Sequence, residues 1–346
     1  MIRNDAMKRL GKIVLGFLLL TVMTHCNSKE GFYTNTLRSD VYVQTYSENK
    51  YDFLFVFDTS GSFQDRRDYV KDNMQTFLNI LNSRKAVDYQ ISITTVDMFG
   101  GFSPILPDSK GVRGNLVASS TGVKVVKSSA VSPAADFAAV MQNITESDTA
   151  FWEQGLEAAY QAVLQHGSEF SRPGVPLIIV FMTDSDDWSC KEECWGSQPE
   201  TNTNWVPFTM DRYTNYFSTL KKNEDSDVMI FPIVGLPSGG CEVEFPGSRY
   251  IALQEAVGGL SSSGSVCNLN LASSFNGVAK VIADRGSVFK LSHPSTGIGL
   301  SVYVNQVLIP FAPENYVYEA ETNSIVFTGL SPQKGAIVEV VYSQKN

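Results

Sequence analysis

Residues Tyr51–Asp68 read YDFLFVFDTSGSFQDRRD. Phe53–Phe57 is an apolar run of five residues without a charge. That pattern suits a strand covered on both faces, as in the centre of a parallel sheet. From Phe63 the spacing becomes helical, with apolar residues at 63, 70, 74, 77, 78 and 81. Between the halves, Asp58-Thr59-Ser60-Gly61-Ser62 sets one carboxylate and two hydroxyls at alternate positions. All three can turn toward one point above the strand end, with Gly61 allowing a tight bend. Oxygen ligands with one or two charges suit a hard divalent cation that keeps some of its water, such as Mg²⁺. The plainer alternative is a strand-to-helix turn in which a serine caps the helix.

Leu177–Asp184, LIIVFMTD, is a second buried strand ending in an aspartate. In doubly wound sheets ligands sit outside the carboxyl ends of the strands, so two such strands bring Asp58 and Asp184 to one edge. On these residues the chain resembles the metal-ion-dependent adhesion site of von Willebrand factor type A domains, the fold of integrin inserted domains. The resemblance extends over about residues 50–292 and includes Thr183–Ser189, Arg249-Tyr250 and Phe289–Ser292. It implies an α/β fold with a doubly wound, mostly parallel sheet flanked by helices. It also implies one Mg²⁺ or Mn²⁺ held by Asp58, Ser60, Ser62, a third-segment threonine and Asp184, with an open position for a partner protein's Asp or Glu. Thr149, ahead of Gly155-Leu156, is the threonine candidate, one residue farther from Gly155 than the family spacing. Glu153 is the alternative, directly or through water. Asp186 and Asp187 exceed what one such site needs: a second layer, a separate Ca²⁺ site with Asp65 or Asp68, or a solvated acidic loop are the readings left open.

The 346 residues are 43% hydrophobic and 18% charged, with a net charge of −9, values of a folded protein large enough for a main core and a small accessory domain. The acidic balance gives no case for nucleic acid. Residues 1–12 are basic and Ile13–Met23 is apolar, the pattern of a secretory signal and too short for a membrane span. Cys26 resembles the lipid-modified first residue of a bacterial lipoprotein, although His25 stands where a small residue is usual. A lipid anchor there would be the chain's only membrane contact, in the cell envelope and most simply at the outer membrane, on its periplasmic or surface side. The remaining cysteines, Cys190, Cys194, Cys241 and Cys267, are even in number and fit disulfides in an oxidising compartment, Cys190 with Cys194 and Cys241 with Cys267. A structural zinc site is the rival reading, weakened by a total of three histidines.

In order, the chain divides into a signal (1–26), a tether with an edge strand near Asp40–Tyr46 (27–49), the α/β domain (50–292) with a hairpin-bearing insertion at about 100–127, and an all-β module (299–346). Helices are expected at 63–81, 133–143, 151–166, ended by Gly167, 208–222, 249–257 and 271–283. Strands are expected at 89–96 and 227–234, the latter near an edge because of Pro232, with Val288–Leu291 closing the domain. Three β runs follow, at 300–309, 316–327 and 336–342. There is no nucleophile elbow, phosphate loop or His-Glu-x-x-His pattern, which argues against an enzyme. An envelope protein-binding module is the first functional reading. A scaffold with a structural or absent metal is the alternative, and a metal-dependent hydrolase a distant third.

Overall fold

The computed structural model describes residues 36–44, 49–83, 86–98, 112–144, 153–191, 206–222, 227–237, 245–258, 264–329 and 332–345. Its main sheet has six strands: β2 (Lys50–Phe57), β3 (Asp88–Thr95), β4 (Val125–Lys127), β5 (Leu177–Thr183), β6 (Val228–Val234) and β7 (Gly264–Ser265). Their order is β4-β3-β2-β5-β6-β7. Every neighbouring pair is parallel except β3 and β4. The chain steps outward from β2 to β3 on one side and from β5 to β6 on the other. The order therefore reverses between β2 and β5, the point where doubly wound sheets open a crevice above their strand ends.

Six helices cover the two faces: α1 (Gln64–Leu81), α2 (Pro133–Met141), α3 (Gly155–Phe170), α4 (Met210–Leu220), α5 (Ser248–Val257) and α6 (Asn268–Asp284). Strand β2 shows why its sequence lacks alternation. Phe53, Phe55 and Phe57 enter the core beneath α1, α2 and α6, while Leu54 and Val56 enter the one beneath α3, α4 and α5. Phe77 of α1 and Phe275 of α6 stack at 4.6 Å over the first face. Each such buried side chain contributes about 1.5–3 kcal/mol. Pro232 is tolerated in β6 because the outer neighbour, β7, pairs only with Ile233 and Val234.

A second body of β structure joins the two ends of the described chain. β1 (Leu37–Val43) runs antiparallel to β13 (Ile337–Ser343) over its whole length. β9 (Ser301–Val304) and β10 (Val307–Ile309) extend this sheet in the order β1-β13-β9-β10. Facing it is a three-stranded sheet of β11 (Tyr316–Glu319), β12 (Ser324–Phe327) and β8 (Val288–Lys290). Val302, Val338, Val340, Tyr342, Phe289 and Phe327 fill the space between.

Several expectations change. Val288–Leu291 does not extend the α/β sheet; β8 pairs with β12. The runs at 300–309 and 316–327 are hairpins rather than single strands. In the expected insertion, β4 is an edge strand on β3, and residues 99–111 lie outside the described ones. Helix α3 begins only at Gly155 and passes through Gly167 to Phe170.

Candidate metal centre

Asp58 directly follows strand β2, and its backbone N–H still donates to Met182 O of β5 at 3.0 Å. Asp58 is fully buried, and its Oδ1 accepts the Ser60 backbone N–H at 2.7 Å, a local turn that short acidic side chains favour. Ser60 and Ser62 hydroxyls lie 3.0 Å apart on the outer side. Gly61 opens a single 3-10 turn, Gly61–Phe63, without a left-handed φ. Buried Arg67 reaches back from α1 and donates to Asp58 O at 2.7 Å and Ser60 O at 2.9 Å. It fixes the cradle from beneath.

Asp184 follows β5 beside this loop. Its Oδ2 accepts from Arg66 at 2.8 Å, and Arg66 also donates to Ser62 O at 2.9 Å and Val266 O at 3.1 Å. From the segment before α3 comes Glu153, 2% exposed. Ligand oxygens of Asp58, Glu153 and Asp184 all lie within 4.8 Å of one another. Thr183, fully buried at the end of β5, stands between two of them, its hydroxyl 3.2 Å from Asp58 Oδ2 and hydrogen-bonded to Glu153.

Burial, then the charge of Asp58, holds the Glu153 carboxyl well above its ordinary range. Burial and Asp58 push Asp184 to about 6 against the opposing pull of Arg66. The cluster is therefore short of positive charge. Its donor set, carboxylate and hydroxyl oxygens only, is that of a hard divalent cation. Two buried hydroxyls, Thr59 Oγ1 in the loop after β2 and Tyr250 OH against Gly155, have no hydrogen-bond partner. The Tyr250 hydroxyl also feels the charges of Asp187, Glu153, Asp186 and Asp58. The residues present fit a divalent cation held by Asp58, Glu153 and Asp184 with Ser60 and Ser62.

Asp58, Asp184 and Glu153 converge, while Ser60 and Ser62 pair with each other in the loop that follows Asp58. Thr149, Cys26, Cys194 and Cys241 lie outside the described residues. Cys190 and Cys267 are buried and each is disulfide-bonded. Asp186 and Asp187 do not enter the cluster, and their loop is not a solvated one. Asp187 is 4% exposed. Its Oδ1 caps α3 by accepting from Leu156 N at 2.9 Å, and its Oδ2 accepts from Arg249 at 3.1 Å. Burial raises this carboxyl to about 6. Asp186 accepts from Arg249 N at 2.9 Å. Asp68 is taken by Lys71 and Gln64, so among the described residues no second acidic group converges for Ca²⁺. His166, at the far end of α3, bonds Glu169 and Asn115, and His293 lies beside Ser292 after β8. Sequence reasoning did not place Arg66, Thr183 or Tyr250 in this site, although Thr183 and Tyr250 lay in stretches that carried the resemblance; Arg66 stands one turn after Ser62 on the first turn of α1.

The class that these features define is a doubly wound α/β domain with a carboxylate-and-hydroxyl cradle at its switch point, joined to a small β sandwich. No family model and no curated protein sequence matches the chain. Among solved structures, it is similar to the pilus adhesin SpaC of Lactobacillus rhamnosus GG, at TM-score 0.45 and 11% identity, over 89% of this chain and 42% of that one. It is also similar to a von Willebrand factor type A protein of Catenulispora acidiphila, at TM-score 0.41 and 11% identity, over 90% of this chain and 66% of that one. A third is the type V pilus tip protein Mfa5 of Porphyromonas gingivalis, at TM-score 0.36 and 12% identity, over 89% and 68%. The chain spans about two fifths of the length of SpaC.

Proposed function

We propose that this chain is a von Willebrand factor type A-like binding module of the cell envelope, which engages a partner protein through a divalent cation at the ends of β2 and β5. The observation that carries the reading is the convergence of Asp58, Glu153 and Asp184 within 4.8 Å, with Arg66 ion-paired to Asp184. A divalent cation neutralises such a cluster and keeps an outward position, on the Ser60–Ser62 side, for an oxygen of the partner. The basic-then-apolar N-terminus and Cys26 support placement in the envelope by way of a lipid anchor. The test is calorimetry of Mg²⁺ and Mn²⁺ binding to residues 27–346, wild type against Asp58→Ala. Saturable binding that the substitution abolishes is expected. Wild-type protein that takes up neither ion sinks the reading.

One observation favours a second reading, a metal-free scaffold. Arg66 already pairs with Asp184, and Glu153, with its raised proton affinity, can remain neutral as the acid. Partner binding that survives chelation of all divalent cations would select it.

A further inference from the structure

The two edges of the four-stranded sheet are built differently. β10 has three residues and runs straight into Pro310, a short edge of the kind that resists extension. β1 has seven residues, no proline, lysine or bulge, and a one-to-one register with β13 throughout. Among the described residues, no strand pairs with its outer edge. Its hydrogen-bond phase follows from its ends: Thr36 O accepts from Gln344 N at 2.9 Å, and Gln44 N donates to Ala336 O at 2.8 Å. Even-numbered residues therefore bond β13, and the alternation of an antiparallel ladder turns the N–H and C=O of Leu37, Ser39 and Val41 outward. Side chains sort by the same parity. Leu37 and Val41 stand exposed on the outer face, with Arg38 and Asp40 on the opposite one. Arg38 Nε donates to Gln344 Oε1 at 2.8 Å. Asp40 accepts from Ser292 and Tyr342; against the upward pull of burial, these bonds hold its carboxyl below the ordinary range. Among the described residues, neither charge has an ion-pair partner.

We infer that β1 is the interface for a second copy of this chain, which adds its own β1 antiparallel across a two-fold axis at Ser39. Only odd-numbered residues offer outward groups, so only registers that oppose odd to odd make the hydrogen bonds. An axis at Asp40 sets that aspartate against itself, and an axis at Arg38 does the same to the guanidinium; like charges directly opposite are destabilising. An axis at Val41 opposes Asp40 to Tyr42, and axes nearer either end pair fewer residues. The axis at Ser39 opposes Arg38 to Asp40 of the copy and Asp40 to Arg38 of the copy. Each is a non-hydrogen-bonded pair, with Cα atoms about 4.5 Å apart and side chains in reach. On the outer face the same register opposes Leu37 to Val41 of the copy in both directions, which covers two exposed apolar side chains per chain. Leu37-Arg38-Ser39-Asp40-Val41 is thus complementary to itself read backwards, as a closed two-fold contact requires. The contact lies in the β sandwich and is independent of the metal reading.

Sedimentation velocity on residues 27–346, at concentrations between about 1 and 100 µM, should show a mass rising from one copy toward two. Arg38→Asp opposes two aspartates at each pair and should weaken association by about tenfold or more. Val41→Pro removes an outward N–H and no bond to β13, so it should weaken association as much while the denaturation midpoint stays that of wild type. Ser39→Cys should cross-link copies under mild oxidation, because hydrogen-bonded Cα atoms about 5.5 Å apart lie within disulfide reach. Leu37→Cys, which faces Val41 and not itself, should not. Wild type that stays monomeric across the range overturns the inference, as does association that survives Arg38→Asp or a folded Val41→Pro protein. Cross-linking through Leu37→Cys but not through Ser39→Cys overturns the register.

Discussion

Replacing Gly155 by alanine adds one methyl carbon, and the structure gives it no room. An ideal Cβ at this position falls 2.4 Å from the Tyr250 hydroxyl oxygen, 2.9 Å from Cε1 and 3.0 Å from Cζ. Tyr250 cannot yield easily, because it is fully buried and tilted against Phe181 at 4.9 Å between ring centroids. Relief requires a shift of about 1 Å, and overpacking of this kind costs typically ~1–3 kcal/mol. The gain in helix propensity offsets at most about 1 kcal/mol of that, leaving a net loss of roughly 1–2 kcal/mol. The displacement falls on the Leu156–Asp187 cap and on Glu153, so cation affinity should drop with stability. Tyr250→Phe removes an unpartnered hydroxyl and should be neutral or stabilising by up to ~1 kcal/mol in metal-free protein. In the double variant the closest clash is gone while the ring contacts persist, so phenylalanine should restore part of what alanine loses. Denaturant titrations of the four proteins in chelator supply the cycle. Strict additivity, or a Gly155→Ala protein as stable as wild type, would refute the steric argument.

The raised Asp184 gives a pH signature. Its folded pKa, about 6, lies above the ordinary 3.8, so the folded state holds this proton more tightly than the unfolded chain. The associated stability, up to ~2–3 kcal/mol, is present below pH 3.8 and lost as pH rises through about 6. Denaturation midpoints in chelator should show a fall over this range that Asp184→Asn removes and that saturating Mg²⁺ reverses. Arg66→Met takes a cation from beside the cluster; divalent affinity by calorimetry should rise by several-fold to about tenfold, while stability falls by ~1–3 kcal/mol. At the opposite end of the sheet, fully buried Asp52 is held by Arg172 at 2.8 Å. Asp52→Ala should cost ~3–5 kcal/mol in unfolding measurements and leave cation affinity unchanged.

What the sequence disclosed was what its local physics controls. Strands buried on both faces, β2 and β5, read directly as apolar runs because neither face offers solvent an alternating side. Asp58 and Asp184 could then be placed on one edge, since both follow such strands. Glu153 was visible only as a rival to Thr149, because its place beside Asp58 depends on the extended segment before α3 and on Thr183 from another strand. The late start of α3 was hidden for the same reason: its caps, Asp187 and Ser189, arrive from about 30 residues downstream. The hairpin between β9 and β10 escaped notice because its turn is Asn305-Gln306, with φ of 51° and 68°, in place of the usual glycine-containing pair. Nothing local marks β8 as a partner of β12 rather than of the main sheet. Both environments ask the same of Val-Phe-Lys.

The β1–β13 ladder imposes an order of events on folding. Leu37 is aligned with Ser343, so the first described strand cannot pair until β13 has been synthesised. Contacts this distant in sequence form late unless something shortens the loop between them. The α/β core does so, since its folding orders the chain from β2 to α6. Nascent chains should therefore complete the metal-site domain first and carry β1 as an unsatisfied edge until β13 arrives. A chain stopped short of Ile337 leaves that edge open, with Leu37, Val41 and Val43 exposed along it, a ready template for association with other chains. The first and last described strands seal one another's edges.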